Sequence, residues 1–480
     1  MSSQDPAVGE RSLAGRVLPG VEVLAQSIAT VSPSGVIAIT PAIVALNAGN
    51  GTWLAFVVAM IAVLLVGYSV AQFSRRIAST GSLYTYIGRG LGRVAGFAGG
   101  AAMVIAYGAV AMISMVAAGL YFGAFLTEIG IAGDRLGVQL VLYALFGAAG
   151  IAFAVLGVRL STRFALTLEI IAIGSILTVL LIVFFDQGLD NASTQFGLEG
   201  ATFDGIALGV VFAVLALSGF ESCASMGAEA SDPYRAIPRA ILGTIIGIGL
   251  LYTFAAYTQV VAFVNAGENI GESAAPLNDI AGFAGAEWLK YPILLGATAS
   301  FFASITGCIN AGSRTLFTMG RERVAPESLG RTHARRRTPH VAALTLAPIV
   351  LLVPIVMVAQ GSSAVSAITY IGTTGAFGFM LSYALVAIAA IPYARRRRVL
   401  GALTVICGVA GAAAMAYVFY KNIVPTPPAP LNRVPYIFAA LLALGLAWYA
   451  VGRLRDPEHG HLVGTLGDEI EEDRPLAAPR

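Results

Sequence analysis

The chain has 480 residues, of which 57% are hydrophobic and only 11% are charged. Because soluble proteins carry about 25% charged residues, this composition indicates an integral membrane protein. The net charge of +3 is too small to indicate a polyanionic partner. The three cysteines have no metal-ligand spacing, and His459 and His461 are better explained as exposed tail residues, so no metal or other cofactor is expected.

Long apolar stretches predict twelve membrane-spanning helices, because each is near the 20 residues that a helix needs to cross a bilayer. Barrel strands would alternate apolar and polar residues, whereas these stretches are continuously apolar. The predicted spans lie near 18–46, 53–74, 95–127, 136–157, 164–186, 204–229, 240–265, 291–319, 341–359, 364–392, 399–420 and 434–452. They form one transmembrane domain over 18–455, flanked by a polar segment over 1–17 and an acidic tail over 456–480 that we expect to be disordered.

The positions of the basic residues predict the orientation of the spans. If the N-terminus is cytoplasmic, 25 of the 29 Lys and Arg residues fall on the cytoplasmic side. This asymmetry obeys the positive-inside rule and predicts a multi-pass protein of the cell membrane with both termini in the cytoplasm. The basic run at 331–337 is then a loop beside anionic membrane lipid, rather than a nucleic-acid site.

Two of the predicted spans are interrupted by helix-breaking residues. The first contains Ser32-Pro33-Ser34-Gly35 and opens a block of five helices over about 18–186. The sixth contains Ser218-Gly219 and opens a second block over about 204–392, followed by two extra helices over about 399–452. Because five is odd, the second block enters from the opposite side, which is the inverted-repeat plan of secondary transporters. Two ordinary kinks are the alternative, since Gly and Pro are common in membrane helices.

The first break suits the carboxylate of a ligand. A half-helix that starts inside the membrane offers free N–H groups and a positive dipole end, which Ser32, Ser34 and Gly35 would present. Alternatively, the serine hydroxyls bond back to their own helix. Tyr107 in the third span either reaches the ligand carboxylate or packs in the core.

The second break suits an ammonium group. Ser218 and Gly219 would leave free carbonyl groups, and Glu221 adds a negative charge beside them. An amino acid carries both charges, so the two breaks would grip its two ends. Phe220 either covers the ligand as a gate or packs in the core.

Two acids lie inside the predicted spans, where an ionisable residue is costly and indicates function. Glu221 can carry a coupling proton, hold the ligand amine, or cap the N–H groups of the following half-helix. Glu169 in the fifth span can serve in coupling, or it can reach the interface or pair with an arginine. In the eighth span, Ser300, Ser304 and Thr306 either line an ion site or join helices by hydrogen bonds.

Four motifs in order resemble the amino acid–polyamine–organocation (APC) superfamily of permeases over most of 18–455. They are the loop after the second span (79–92), Gly219-Phe220-Glu221 with the following 229–238, the loop over 310–339, and the Pro-rich segment 425–430. The resemblance implies the LeuT-like fold, an all-α membrane protein with five plus five inverted helices, discontinuous helices 1 and 6 and two C-terminal helices. It also implies alternating access, with substrate held at the two breaks. Some proton-coupled members carry a lysine in the fifth span, which this chain lacks.

The expected function is therefore secondary transport of an amino acid across the plasma membrane, with a proton favoured over Na⁺ as the coupling ion. The alternatives are an exchanger, an importer of polyamines or amino alcohols, and a membrane nutrient sensor that does not transport. No clustered His, Asp or Ser chemistry and no Walker loop is visible in the sequence, so an enzyme is not expected. The expected partners are a small amino acid or amine and membrane lipid, with no obligate protein partner indicated.

Overall fold

The computed structural model is almost entirely helical and describes residues 13 and 15–469, apart from 188–191, 274, 425, 427–428 and 457. The expectations for 1–12 and 470–480 lie outside the described residues. The α-helices are α1 Gly20–Val31, α2 Pro33–Ala48, α3 Thr52–Ser74, α4 Leu83–Leu91, α5 Arg93–Glu128, α6 Leu136–Leu156, α7 Val158–Gln187, α8 Ala192–Phe196, α9 Phe203–Ala216, α10 Pro233–Ala266, α11 Pro276–Phe283, α12 Lys290–Arg321, α13 His340–Ala359, α14 Ala364–Arg396, α15 Ala402–Lys421 and α16 Val434–Arg455. The described chain also contains six short 3₁₀ helices and two short strands, β1 Ile77–Ala78 and β2 Asp468–Glu469.

Eleven stretches of the described chain are helical, long and apolar enough to cross a membrane. Ten of them coincide with the third to twelfth predicted spans. The other stretch, Gly20–Ser74, has 55 residues and contains the first two predicted spans. A straight helix of that length would measure about 80 Å, far more than the roughly 30 Å of a bilayer core. The polytopic helical class is confirmed, and the count of twelve crossings stays a prediction.

The chain leaves the helical conformation for one residue between α1 and α2. Ser32 has φ 56°, in the left-handed region that residues other than glycine rarely adopt. Its N–H still donates to the carbonyl of Ile28 and so closes α1. Pro33 then starts α2, where its missing N–H removes a donor that a helix start leaves unpaired anyway. The sequence signal at the first break thus corresponds to a local interruption.

The sixth predicted span is interrupted over a longer stretch. Its first part, α9, ends at Ala216, and Gly219 follows with φ 101°, a conformation that glycine adopts without strain. The chain continues as a 3₁₀ helix over Phe220–Met226 and does not regain α-helical geometry until α10. A 3₁₀ segment of this length is uncommon and often marks a functional hinge.

Glycines let the central helices approach closely and so bring the two breaks within reach of α5, α12 and α14. A methyl group added at Gly378 of α14 would lie 2.5 Å from the carbonyl oxygen of Ala102 on α5. One added at Gly307 of α12 would lie 2.7 Å from Oγ1 of Thr30 on α1. Small residues at such contacts are typical of packed membrane helices.

Residues 458–469, which we call the tail segment, dock on one end of the bundle. Strand β2 pairs antiparallel with β1. The carboxylate of Glu322, just after α12, accepts hydrogen bonds from the N–H groups of Gly464 and Leu466, both at 2.9 Å, and from the hydroxyl of Tyr84. Burial raises the pKa of the Glu322 carboxyl above its ordinary value. The expectation of a disordered tail is therefore wrong for this segment, because a buried acceptor and a strand edge hold it.

Candidate substrate site at two helix breaks

The two breaks lie side by side in the bundle and are joined by hydrogen bonds. Ser27 Oγ of α1 donates to the carbonyl of Phe220 at 2.6 Å. Ser222 Oγ donates in return to the carbonyl of Gln26 at 3.2 Å. Gln26 Nε2 also donates to the carbonyl of Gly307 on α12 at 2.8 Å. Ser27 of α1 thus supplies a side-chain donor to a backbone carbonyl at the second break.

Glu221 is fully buried beside the second break and is held by two phenols. Tyr107 of α5 donates to Oε1 at 2.7 Å, and Tyr383 of α14 donates to Oε2 at 2.5 Å. The Tyr383 oxygen also accepts from the N–H of Gly219 at 2.9 Å, so the phenol links the acid to the broken backbone. Hydrogen bonds offset part of the free energy that burying a carboxylate costs. Tyr107, expected to bind ligand or to pack, therefore holds Glu221 in this structure.

The other residues expected at the second break lie against the same phenol. The ring of Phe220 is fully buried, with its centroid 5.1 Å from that of Tyr383. Ser218 Oγ bonds back to the carbonyl of Val214 at 3.1 Å, the self-bonding common for serine in membrane helices. Phe220 thus covers the break from within the core, and its role as a gate stays a prediction.

At the first break, the start of α2 already binds a carboxylate of the protein itself. The N–H and the hydroxyl of Ser34 both donate to Oε1 of Glu169, at 2.9 and 2.8 Å. Glu169 comes from α7, and its side chain is fully buried within the bundle. Arg163, the kind of partner considered for it, pairs instead with Glu22 of α1 at 2.5 Å.

Gly35 is required at the first break by a close aromatic contact. A methyl group added there would lie 2.6 Å from the ring of Phe301 on α12. That ring also packs against Tyr121 of α5, with 5.7 Å between centroids. Phe301 therefore closes the helix start on this side.

Of the three hydroxyls expected on α12, two face the first helix. Ser300 Oγ lies 2.9 Å from Ser32 Oγ, and Ser304 Oγ donates to the carbonyl of Thr30 at 3.1 Å. Thr306 bonds back to its own helix. Ser300 and Ser304 thus join α12 to α1, as the interpretation of helix joining expected, and their use as an ion site stays a prediction.

A buried ion pair fixes the end of the bundle that carries the tail segment. Arg314 of α12 donates to both carboxylate oxygens of Glu229, at 2.7 and 3.2 Å, and both side chains are 1% exposed. Arg314 also donates to the carbonyl of Asn310. The Glu229 carbonyl accepts from the N–H groups of Val17 and Leu18, which tie the start of the first helix to the same place.

Sequence reasoning missed three of these groups. Tyr383 was overlooked, although a buried acid such as Glu221 needs donors and a tyrosine within an apolar span can supply one. Glu229 and Arg314 appeared only as motif residues, without roles. Opposite charges at the ends of apolar spans were the available signal, because charges there are usually paired.

A comparison with protein families shows which family has this sequence. The sequence model described as "Amino acid permease" matches residues 22–444. The chain belongs to the amino acid permease family. The resemblance drawn from the four motifs is thus confirmed, and transport by a multi-pass membrane protein is the activity of its class.

Relatives in this permease family differ in the substrate that their names state. The branched-chain amino acid permease BcaP of Lactococcus lactis is 27% identical, with 75% of this chain and 80% of the relative aligned. BcaP of Bacillus subtilis is 28% identical over 70% of this chain and 73% of its own. The low-affinity putrescine importer PlaP of Escherichia coli K12 is 27% identical over 62% and 66%.

A solved structure supports the fold of the permease. MhsT, crystallised in complex with L-phenylalanine, matches with a TM-score of 0.60 over 85% of this chain and 99% of its own. At 15% identity the likeness concerns the fold alone. The permease therefore shares the helical fold of MhsT, and the five-plus-five inverted repeat stays a prediction.

Proposed function

We propose that this permease is a secondary transporter that imports a neutral α-amino acid by alternating access with a coupled proton. One observation carries the proposal: two helix breaks of opposite chemistry lie side by side. At one, the N–H of Ser34 faces a carboxylate. At the other, the helix ends in carbonyl groups beside buried Glu221. Such a pair fits the carboxylate and the ammonium group of an amino acid.

The proposed binding site uses the backbone and hydroxyl groups of both breaks, with Phe220 as the gate. Its residues are Ser32, Ser34, Gly35, Tyr107, Ser218, Gly219 and Phe220. Twelve crossings in a five-plus-five inverted repeat, with both termini in the cytoplasm of the cell, complete the proposal. The stretch Gly20–Ser74 supports the count, since a short 3₁₀ helix at Gly49–Gly51 interrupts it and it is long enough for two crossings.

The relatives' names favour a branched-chain amino acid such as L-leucine as the substrate. A diamine such as putrescine is the second candidate. It is favoured by the two buried carboxylates, Glu169 and Glu221, one at each break, and by the name of PlaP. We rank the amino acid first, because the start of α2 presents two donors in a geometry that suits a carboxylate, a group that a diamine lacks.

Glu221 and Glu169 are the proposed proton carriers. Both are fully buried, and their hydrogen bonds come from phenols, hydroxyls and backbone N–H groups rather than from a basic side chain. A buried carboxyl without a basic partner can bind or release a proton when its surroundings change only modestly. Na⁺ is less well supported, because the Ser300 and Ser304 hydroxyls are already engaged with α1.

A ligand screen by thermal shift tests the substrate. The purified permease is heated with each amino acid, putrescine and ethanolamine, and a ligand at one hundred times its dissociation constant should add about 2.7 kcal/mol of stability. We expect L-leucine, L-isoleucine and L-valine to raise the melting temperature and putrescine to leave it unchanged. The reverse result would replace the amino acid by a diamine. Counterflow of radiolabelled L-leucine in preloaded vesicles separates a transporter from a sensor, which would show none.

A further inference from the structure

The groups expected to bind a substrate carboxylate are occupied by the protein itself. Both donors of Ser34 at the start of α2, its N–H and its hydroxyl, point at Oε1 of Glu169. A carboxylate oxygen with two donors at 2.8 and 2.9 Å is the arrangement that a bound amino acid would adopt at a helix N-terminus. Glu169 therefore stands where a ligand carboxylate would be bound.

Several features show that this contact supports the Glu169 charge. The residue is fully buried, and its second oxygen, Oε2, accepts no hydrogen bond from the described residues. The Ser300 hydroxyl lies nearby but is shared with Ser32. An ionised carboxylate with one satisfied oxygen depends on those two donors, on the Ser300 hydroxyl and on the dipole of α2. Loss of the contact would strongly favour the neutral acid.

We propose that Glu169 is a tethered competitor of the substrate carboxylate, and this rests on the proposed function. In the substrate-free protein its carboxylate occupies the donors of Ser34. When an amino acid binds, the substrate carboxylate takes those donors, and Glu169 leaves them as the neutral acid after binding one proton from water in the open site. One carboxylate replaces another at α2, so the site gains one proton and no other charge for each amino acid bound.

If Glu169 and the substrate carboxylate both stayed ionised, their repulsion would oppose substrate binding. Two carboxylates that share one pair of donors repel, and a site of this kind forces one of them to take a proton. Glu169 therefore couples proton uptake to substrate binding, because the two carboxylates cannot both be ionised at these donors. It also favours ligands that have a carboxylate. An amine without a carboxylate gains nothing from the exchange.

Few ionisable groups of the described chain face Glu169, so its own protonation is the main source of pH dependence at the first break. The phenol of Tyr252 on α10 is near enough to feel its charge and has no hydrogen-bond partner among the described residues. From α2 and α12, the neighbours that act on it are the hydroxyls of Ser34 and Ser300. On α7 itself, Arg163 lies about 9 Å away along the helix and is paired with Glu22 of α1.

The test measures L-leucine binding to purified protein at pH 5.5 and 7.5, with L-leucinol as the matched ligand without a carboxylate. In the wild type, the dissociation constant for leucine should rise by up to tenfold per pH unit above the pKa of Glu169, whereas that for leucinol should not. Glu169→Gln removes the competing charge, so it should bind leucine tightly and equally at both pH values. Glu327→Gln, which removes an exposed acid paired with Arg323 at 3.2 Å and far from Ser34, should keep the wild-type pH dependence of leucine binding.

Proton counting gives a second readout that needs no variant. Calorimetry of the wild type in two buffers with different ionisation enthalpies should show one proton taken up per leucine and none per leucinol. The proposal is overturned if leucine binding takes up no proton, or if folded Glu169→Gln keeps the pH dependence. If no amino acid binds the wild type at either pH, the proposed function itself has failed.

Discussion

The pair of Glu229 and Arg314 offers a quantitative prediction about what closes one end of the bundle. Both side chains are 1% exposed, and the arginine donates two hydrogen bonds to the carboxylate, at 2.7 and 3.2 Å. Glu229→Gln keeps the size and one acceptor of the side chain but removes its charge. The guanidinium of Arg314 then stays buried without a counter-ion.

The structure sets the expected size of this effect. Removing one partner of a buried ion pair costs roughly 3–5 kcal/mol, because the remaining charge is uncompensated. This corresponds to an increase of about a hundredfold to several thousandfold in the unfolding equilibrium constant. The chain carries its own control in the pair of Arg323 and Glu327, at 3.2 Å, whose side chains are 70% and 72% exposed. Losing an exposed pair costs about 0.2–1 kcal/mol.

Equilibrium unfolding in mixed detergent and SDS micelles, followed by tryptophan fluorescence, measures both variants. Glu229→Gln should be less stable than Glu327→Gln by at least 2 kcal/mol. The double variant Glu229→Gln/Arg314→Gln should regain part of the loss, since the unpaired charge is gone. Equal stabilities of the two single variants would refute the reasoning that the buried pair holds this end together.

Three further predictions concern the site and the tail segment. Tyr383→Phe removes one of the two donors to Glu221 and should therefore lower the unfolding free energy by about 1–3 kcal/mol and reduce proton-driven uptake. The same unfolding assay and uptake into vesicles measure the two effects. Unchanged stability and uptake would contradict the contact. Gly35→Ala places a methyl group 2.6 Å from an aromatic ring and should lower the unfolding free energy by about 1–3 kcal/mol and impair substrate binding. The control, Gly243→Ala on α10, has open space around it and should be neutral or slightly stabilising. Because burial raises the pKa of Glu322, tail docking is strongest while this acid is protonated, below its ordinary value of 4.5, and weakens as pH rises through the raised pKa. Hydrogen exchange of residues 464–469, corrected for intrinsic rates, should therefore show less protection at higher pH in the wild type and a constant level in Glu322→Gln; protection that increases with pH would contradict this.

Local signals made the helix breaks predictable. Proline, serine and glycine at 32–35 and at 218–219 are residues whose backbone preferences end helices, and each coincides with an interruption. The left-handed conformation of Ser32 was not predictable, because serine has no preference for it and the surrounding contacts impose it. The 3₁₀ geometry after Gly219 likewise depends on tertiary contacts, such as the bond from Ser27 to the Phe220 carbonyl.

Long-range pairings were beyond the sequence. Ser34 and Glu169 are separated by 135 residues, and Glu221 and Tyr383 by 162, so no spacing rule connects them. The position of Glu169, less than two turns into its predicted span, suggested an interfacial side chain. Packing of α7 against the first helix buries it instead and leaves Arg163 to pair with Glu22. A single sequence shows that an acid in a membrane needs partners but not which partners it finds.

The measurement that tests the account most directly is L-leucine uptake into proteoliposomes with an acidic exterior and no ATP or Na⁺. We predict accumulation of leucine above the external concentration, abolished by a protonophore, strongly reduced in Glu221→Gln, and not inhibited by an excess of putrescine. Leucine entry that is unaffected by the pH gradient, or uptake that putrescine blocks and leucine does not, would contradict the claim that the two helix breaks carry an amino acid together with a proton.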